Sequence, residues 1–297
     1  MRPRDQSEPA TRAAAMPPTE SVPPPSRGYL YYRHRLPVRI MHWINVVALT
    51  VLLMSGLNIF DAHPALYWGK SSYNGNASAL EIGARMSPAG ELQGVTRVLG
   101  REFDTTGVLG VAADRDGDPS LRAFPWWIML PDNRWLSIAR SWHFFFAWVL
   151  VLNGLAYIGW SAWSRHLARD LAPDRNDWRG IGRSLLDHLR FRHPTGGAAK
   201  RYNVLQKLAY LAVIFVLVPL MIAMGLAMSP TADAWWPGWV DFVGGRQSAR
   251  TLHFIGAWLL VGFVLIHVFE VIVSGLWNHL RSMITGRYRI TEEQHRE

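Results

Sequence analysis

Four stretches of this chain, residues 38–60, 141–163, 205–228 and 252–276, are apolar for about 20 residues or more, the length needed to cross a bilayer. Within a bilayer core a chain must satisfy its own backbone hydrogen bonds, and an isolated segment does so only as a helix. The sequence therefore predicts an all-α fold, a four-helix transmembrane bundle. Trp43, Trp142, Trp160, Trp163, Trp235, Trp236, Trp239 and Trp277 lie near the ends of these stretches, where interfacial aromatics belong.

The charges orient the bundle. Residues 1–39 hold seven Arg against three acids, and residues 164–204 hold nine Lys or Arg against four acids. Residues 229–249 hold only Arg246 against Asp233 and Asp241, and the long 61–139 segment holds seven basic residues against nine acids. Basic short loops stay in the cytoplasm, so both termini are expected inside and the 61–139 loop outside. The net charge of +9 thus reflects cytoplasmic flanks, and nucleic-acid binding is set aside.

Residues 1–28 are rich in Pro and polar residues and are expected to be a disordered cytoplasmic tail. They lack the apolar run of a signal peptide, so the first span reads as an uncleaved anchor. Residues 29–290 form the transmembrane domain and 291–297 a short tail. The Gly, Pro and aromatic content of the 61–139 loop suggests a small ordered cap. Its apolar stretch 123-AFPWWIMLP-131 lies in the interface, docks a partner, or packs on the ends of the chain's own helices.

Four of the eleven histidines fall inside spans: His42, His143, His253 and His267. Ionisable groups at such positions need a reason to be there. His253 and His267 are fourteen residues apart, nearly four helical turns, which places both on one helix face about 20 Å apart. With the orientation set by charge, His42 and His267 share the cytoplasmic depth, and His143 and His253 share the outer depth. Each pair is positioned to clamp a haem iron between two helices, giving two haems. The alternative is buried structural histidines. His34, His166, His188 and His193 read as solvated or headgroup-facing, His63 and His279 as surface residues, and His295 as part of the tail. The chain has no Cys, which excludes disulfides, Cys-ligated iron–sulfur clusters and thioether-attached haem.

Arg35 and Arg39 before His42, and Arg250 before His253, are candidates for haem propionate contacts, or equally for helix-end anchors. Gly56, Gly154 and Gly256 would let a flat macrocycle approach the helix backbone.

The pieces 39-RIMHWIN-45, 141-SWHFFFAW-148, 202-YNVLQK-207 and 252-LHFIGAWLLVGFVLIHV-268 together resemble the bacterial cytochrome b561 / nickel-hydrogenase cytochrome b family. The resemblance covers roughly residues 30–290. It implies two haem b groups with axial ligands His42, His143, His253 and His267, and a quinone site near the cytoplasmic haem. By the same carry-over Asn203 and Gln206 would contact the quinone carbonyls, although at a span's start they also suit helix capping. Glu270, three residues after His267, would relay protons to that quinone or snorkel to the interface. The outer loop with 63-HPALYWGK-70 resembles a subgroup that works with a periplasmic molybdopterin oxidoreductase of the sulfite-oxidase type.

The expected function is electron transfer across the bacterial inner membrane between a periplasmic redox subunit and the quinone pool. Two rival readings stay open: a stand-alone quinol or ferric reductase, and a non-redox membrane anchor.

Overall fold

The computed structural model describes residues 28–72, 75, 77–190 and 202–290. The two tails, save Gly28, lie outside the described residues, as do His193, His295 and the side chain of His188. Among the described residues, four helices are long and apolar enough to cross a membrane.

The first span is α1 (Leu36–Asp61), entered through Pro37 at the first turn, where a missing N–H costs nothing. The second is α2 (Leu136–Ser164), closed by Arg165 in the left-handed region. The third, Val204–Ala227, is built from α4 (Val204–Ala212), one π turn at Val213–Leu217, and α5 (Val218–Ala227). The π turn ends two residues before Pro219, whose ring and missing N–H disturb the i→i−4 ladder. The fourth is α8 (Arg246–Val273), six residues longer at its start than the apolar run and stopped by Gly275 at φ +109°, a conformation that favours glycine. Only 6–28% of each span's most apolar window is buried within the molecule. Phe145, Trp148, Leu152, Leu265 and Ile266 point outward, so lipid must supply the missing contacts. Trp163, Trp235, Trp236 and Trp277 stand exposed at the span ends as interfacial anchors.

The expectation of an all-α chain is corrected by the 61–139 loop. It folds into β2 (Ala65–Leu66), β3 (Leu80–Met86), β4 (Leu92–Val98), β5 (Arg101–Asp104), β6 (Gly110–Ala113) and β7 (Pro119–Arg122). The first four make an antiparallel sheet in the order β2-β3-β4-β5, and β6 pairs with β7. Strand β6 crosses close over the sheet at Gly110 (φ +80°), where a Cβ would lie 2.0 Å from the Gly83 carbonyl oxygen. The cap is one unit with the bundle: Ile82, Leu66, Ala123, Phe124 and Met129 pack with Leu57 and Phe60 of α1 in one buried cluster, flanked by Phe254 of α8. Of the three readings of 123-AFPWWIMLP-131, packing on the chain's own helix ends holds for Ala123, Phe124 and Met129, while Trp127 stays exposed.

Three links pin the cap. Buried Asp61, the last residue of α1, accepts from the Ala123 amide and pairs with Arg134 Nε at 2.6 Å. Thr251 Oγ1 donates to the Tyr67 carbonyl at 2.7 Å, and the Gly69 amide donates to Ser248 Oγ at 2.8 Å.

At the opposite end, strand β1 (Tyr29–Tyr32) pairs antiparallel with β8 (Arg287–Ile290), which follows the short helix α9 (Leu276–Thr285). The chain's described ends therefore meet on one side, away from the cap. Between α2 and α4 on that same terminal side lies α3 (Arg175–Leu189). Two short helices, α6 (Pro230–Trp235) and α7 (Trp239–Phe242), join α5 to α8 on the cap side.

Candidate functional site

The four intramembrane histidines meet in the pairs that their depths predict. His42 of α1 and His267 of α8 face each other with ring centres 6.3 Å apart and planes at 65°. His143 of α2 and His253 of α8 do the same at 6.2 Å and 62°. The first pair lies toward the terminal side and the second toward the cap. Helix α8 supplies one histidine to each level, and the fourteen-residue spacing puts both on its inward face.

The cap-side pair has its outer ring nitrogens tied down. Ser55 Oγ donates to the Val51 carbonyl at 2.6 Å, so its oxygen is free to accept from His143 Nδ1 at 3.1 Å. His253 Nδ1 lies 3.0 Å from the Met221 carbonyl oxygen, which can only accept. Both rings are therefore Nδ1–H tautomers, and each presents the Nε2 lone pair. Neither partner is visible in the sequence, because Ser55 and Met221 lie on other helices, 88 and 32 residues away. Backbone room is provided from both sides. A Cβ on Gly56 would sit 3.3 Å from His143 Cε1, and one on Gly225 would sit 3.6 Å from His253 Cε1. Gly56, expected to let a macrocycle approach the backbone, here makes room for the His143 ring, and Gly225 does the same for His253. Gly256 instead packs against Met221 Sδ of α5, and nothing lies within 4 Å of a Cβ built on Gly154.

Around the terminal-side pair, Phe263 stacks on His267 (5.9 Å, 15°), and Tyr210 and Trp43 meet His267 and His42 edge-on. Asn153 of α2 donates to the Met41 carbonyl at 2.9 Å and to Asn45 Oδ1 at 2.7 Å, which locks α1 to α2 beside His42.

The other expected residues lie as follows. Arg35 is the exposed residue ahead of α1. Arg39 donates to the Met283 and Ile284 carbonyls in the last turn of α9, where orphan carbonyls attract a cation. Arg250 donates to the His63 carbonyl and lies 5.4 Å from the Phe60 ring centre. Asn203 and Gln206 form a reciprocal capping box at the start of α4: Asn203 Oδ1 accepts from the Leu205 amide and Gln206 Oε1 from the Asn203 amide. Glu270 is half-buried one turn beyond His267.

The remaining histidines differ in part from expectation. His34, read as solvated, is only 9% exposed: it lies beside the two-stranded β1–β8 sheet, with its Nδ1 3.4 Å from the Tyr202 hydroxyl. Burial and the neighbouring Arg33 push its pKa down to about 4. His166 pairs with Asp170 at 2.6 Å. His279 is half-buried against Tyr288 and lies 3.1 Å from Ser274 Oγ.

The family model of prokaryotic cytochrome b561 matches residues 33–286, which spans all four helices and all four histidines. The chain belongs to this family. Membership makes it a multi-pass membrane b-type cytochrome, a haem b protein of electron transport. Among curated relatives, a chain from Azospira oryzae bearing the name protein-methionine-sulfoxide reductase subunit YedZ1 is 27% identical, over 86% of this chain and 98% of its own length. A Ni/Fe-hydrogenase B-type cytochrome subunit of Cupriavidus necator is 23% identical over 86% of this chain and 85% of its own length. Another of that name from Azotobacter chroococcum is 31% identical over 63% and 81%. No solved structure is significantly similar to the chain.

Proposed function

We propose that the protein carries electrons across the bacterial inner membrane, between an oxidoreductase on the cap side and the quinone pool on the terminal side. The observation that carries this reading is the pair of facing histidines at each of two depths. A metal–imidazole bond of ~2 Å, plus ~1.1 Å from nitrogen to ring centre, puts two axial imidazoles about 6 Å apart, the separation found here. Among the described residues no cluster of three or more His, Asp or Glu is placed to hold a bare metal ion. Two-ligand sites suit an iron whose other four ligands come from a macrocycle.

His42 with His267, and His143 with His253, would hold haem b. When bound, haem supplies a one-electron couple at each level. The chain's part is to fix the rings. Ser55 and Met221 set the tautomer of the cap-side ligands, and hydrogen bonding from Nδ1 raises the basicity of Nε2. Arg35, Arg39 and Arg250 stand at the two levels as cations for carboxylate groups. Arg39 and Arg250 would have to exchange a carbonyl for a propionate.

Quinone reduction takes two electrons and two protons. Glu270 is proposed to hold and pass a proton at the terminal side. The oxygens of Asn203 and Gln206 serve the capping box, so their amide nitrogens are the proposed donors to a quinone carbonyl. The partner is proposed to be an extracytoplasmic oxidoreductase. The names of the relatives point to a sulfoxide reductase or a hydrogenase, and the 63-HPALYWGK-70 loop favours a molybdopterin enzyme of the sulfite-oxidase type.

The deciding experiment is a dithionite-reduced minus oxidised spectrum with pyridine haemochrome quantification on the purified chain. A b-type spectrum with two haems per chain supports the reading, and one haem or none overturns the two-level assignment. Co-purification of a redox subunit from the native membrane supports the partnered function. Rapid reduction of ferric chelates by the isolated chain, with no such complex, favours the stand-alone reductase.

A further inference from the structure

Two polar contacts tie helix α3 to the start of α4: Asp177 pairs with buried Lys207 at 2.7 Å, and Ser184 Oγ donates to Asn203 Oδ1. Asp177 and Ser184 are seven residues apart and share one face. The neighbouring outward face, about 80–180° round the helix from Asp177, carries Trp178, Leu185 and Leu186, which are 55%, 50% and 53% exposed. These positions are i, i+7 and i+8, a single stripe of a 3.6-residue helix. A contiguous outward apolar stripe marks an interaction surface.

Three exposed arginines, Arg175, Arg179 and Arg183, run along one edge of that stripe at spacings of four. Among the described residues, the ion pairs of this region are His166 with Asp170 and Lys207 with Asp177. The position of α3 names its surroundings. It joins the end of α2 at Ser164 to the start of α4 at Val204, two span ends on the terminal side, so it lies at the membrane edge. An apolar stripe bordered by arginines at that height has the design of a helix lying in the headgroup layer.

We propose that α3 lies in the terminal-side leaflet with Trp178, Leu185 and Leu186 among the upper acyl chains, and that Arg175, Arg179 and Arg183 bind anionic phospholipid headgroups. The site requires that the bundle be membrane-embedded and is independent of haem and quinone.

The absence of native cysteine allows clean single-site spin labelling. Full-length Leu185→Cys, and Asn176→Cys on the exposed side away from the stripe, are labelled and reconstituted in vesicles of equal dioleoyl-phosphatidylcholine and dioleoyl-phosphatidylglycerol. The label at 185 is expected to be reached by oxygen and shielded from a water-soluble nickel chelate, and the label at 176 to show the reverse. Purified from the same bilayers, the wild type should retain phosphatidylglycerol over phosphatidylcholine. Arg175→Gln/Arg179→Gln/Arg183→Gln, eluting as an intact bundle, should lose that preference about fivefold or more. Equal nickel access at 185 and 176 would overturn the proposal by placing the stripe in water. Shielding of 185 from both reagents that strengthens with protein concentration would overturn it in favour of a second copy. Unchanged lipid retention in the triple variant would remove the arginines from the site.

Discussion

Ser55 Oγ stands 3.1 Å from His143 Nδ1 and acts as acceptor, because its own proton is already given to the Val51 carbonyl. A hydrogen bond from Nδ1 makes the ligating nitrogen more basic and favours the ferric state. Ser55→Ala removes the acceptor with little change of volume. The midpoint potential of the proposed cap-side haem should rise by up to roughly 40 mV, the one-electron equivalent of a hydrogen bond worth about 1 kcal/mol. The other potential should stay in place. A redox titration that resolves both haems checks this, and an unshifted pair of potentials would mean that the contact does not tune the iron.

The two levels should be separable by substitution. His143→Ala removes one partner of the cap-side pair and leaves His42 and His267 facing each other on other helices. On the proposed two-haem reading, haem content should fall from two per chain to one. His42→Ala should remove the other haem, with a different residual potential. If either substitution empties both levels while the bundle still elutes intact, the pairing is wrong.

The spans, their order and the histidine pairing were legible because bilayer length, helical period and charge asymmetry are local or one-dimensional signals. Ser55, Met221 and Gly225 were not legible, since each acts across a helix–helix contact that no spacing encodes. The ordered cap was legible from the loop's Gly, Pro and aromatic content, but its strands were not, because β2, β5, β6 and β7 are short and β3 and β4 carry no clean alternation. In 92-LQGVTRV-98 the buried residues Gly94, Val95 and Thr96 are consecutive rather than alternating, because the chain of β6 crosses close over Gly94. Asn203 and Gln206 carried two readings in sequence. The structure places them in a capping box, the role that residues of these types fill at any helix start.

Asp61 should be the stability lock between bundle and cap. It is 3% exposed, accepts from the Ala123 amide and pairs with Arg134. Asp61→Ala strands a buried amide and takes away the partner of Arg134. The expected cost is about 2–4 kcal/mol, below the figure for a fully buried pair because Arg134 is partly exposed. Thermal unfolding and limited proteolysis in detergent report it, with cleavage appearing first between residues 61 and 139. A cap as resistant as in the wild type would show that the buried cluster around Phe124 holds it unaided.

His34 gives the terminal side a pH dependence. Burial, then Arg33, hold its folded pKa at about 4, against an ordinary value of 6.5. Below pH 6.5 the unfolded chain takes up a proton that the folded chain refuses. Stability from this group is therefore fully present above pH 6.5 and is lost progressively as pH falls toward 4. A shift of this size corresponds to roughly 3 kcal/mol at the acid end. His34→Gln keeps a polar side chain beside the β1–β8 sheet and has no proton to bind. Its unfolding midpoint should change less between pH 7 and pH 4.5 than that of the wild type, with the two curves converging in acid. Parallel curves across that window would show that His34 is not the group that titrates.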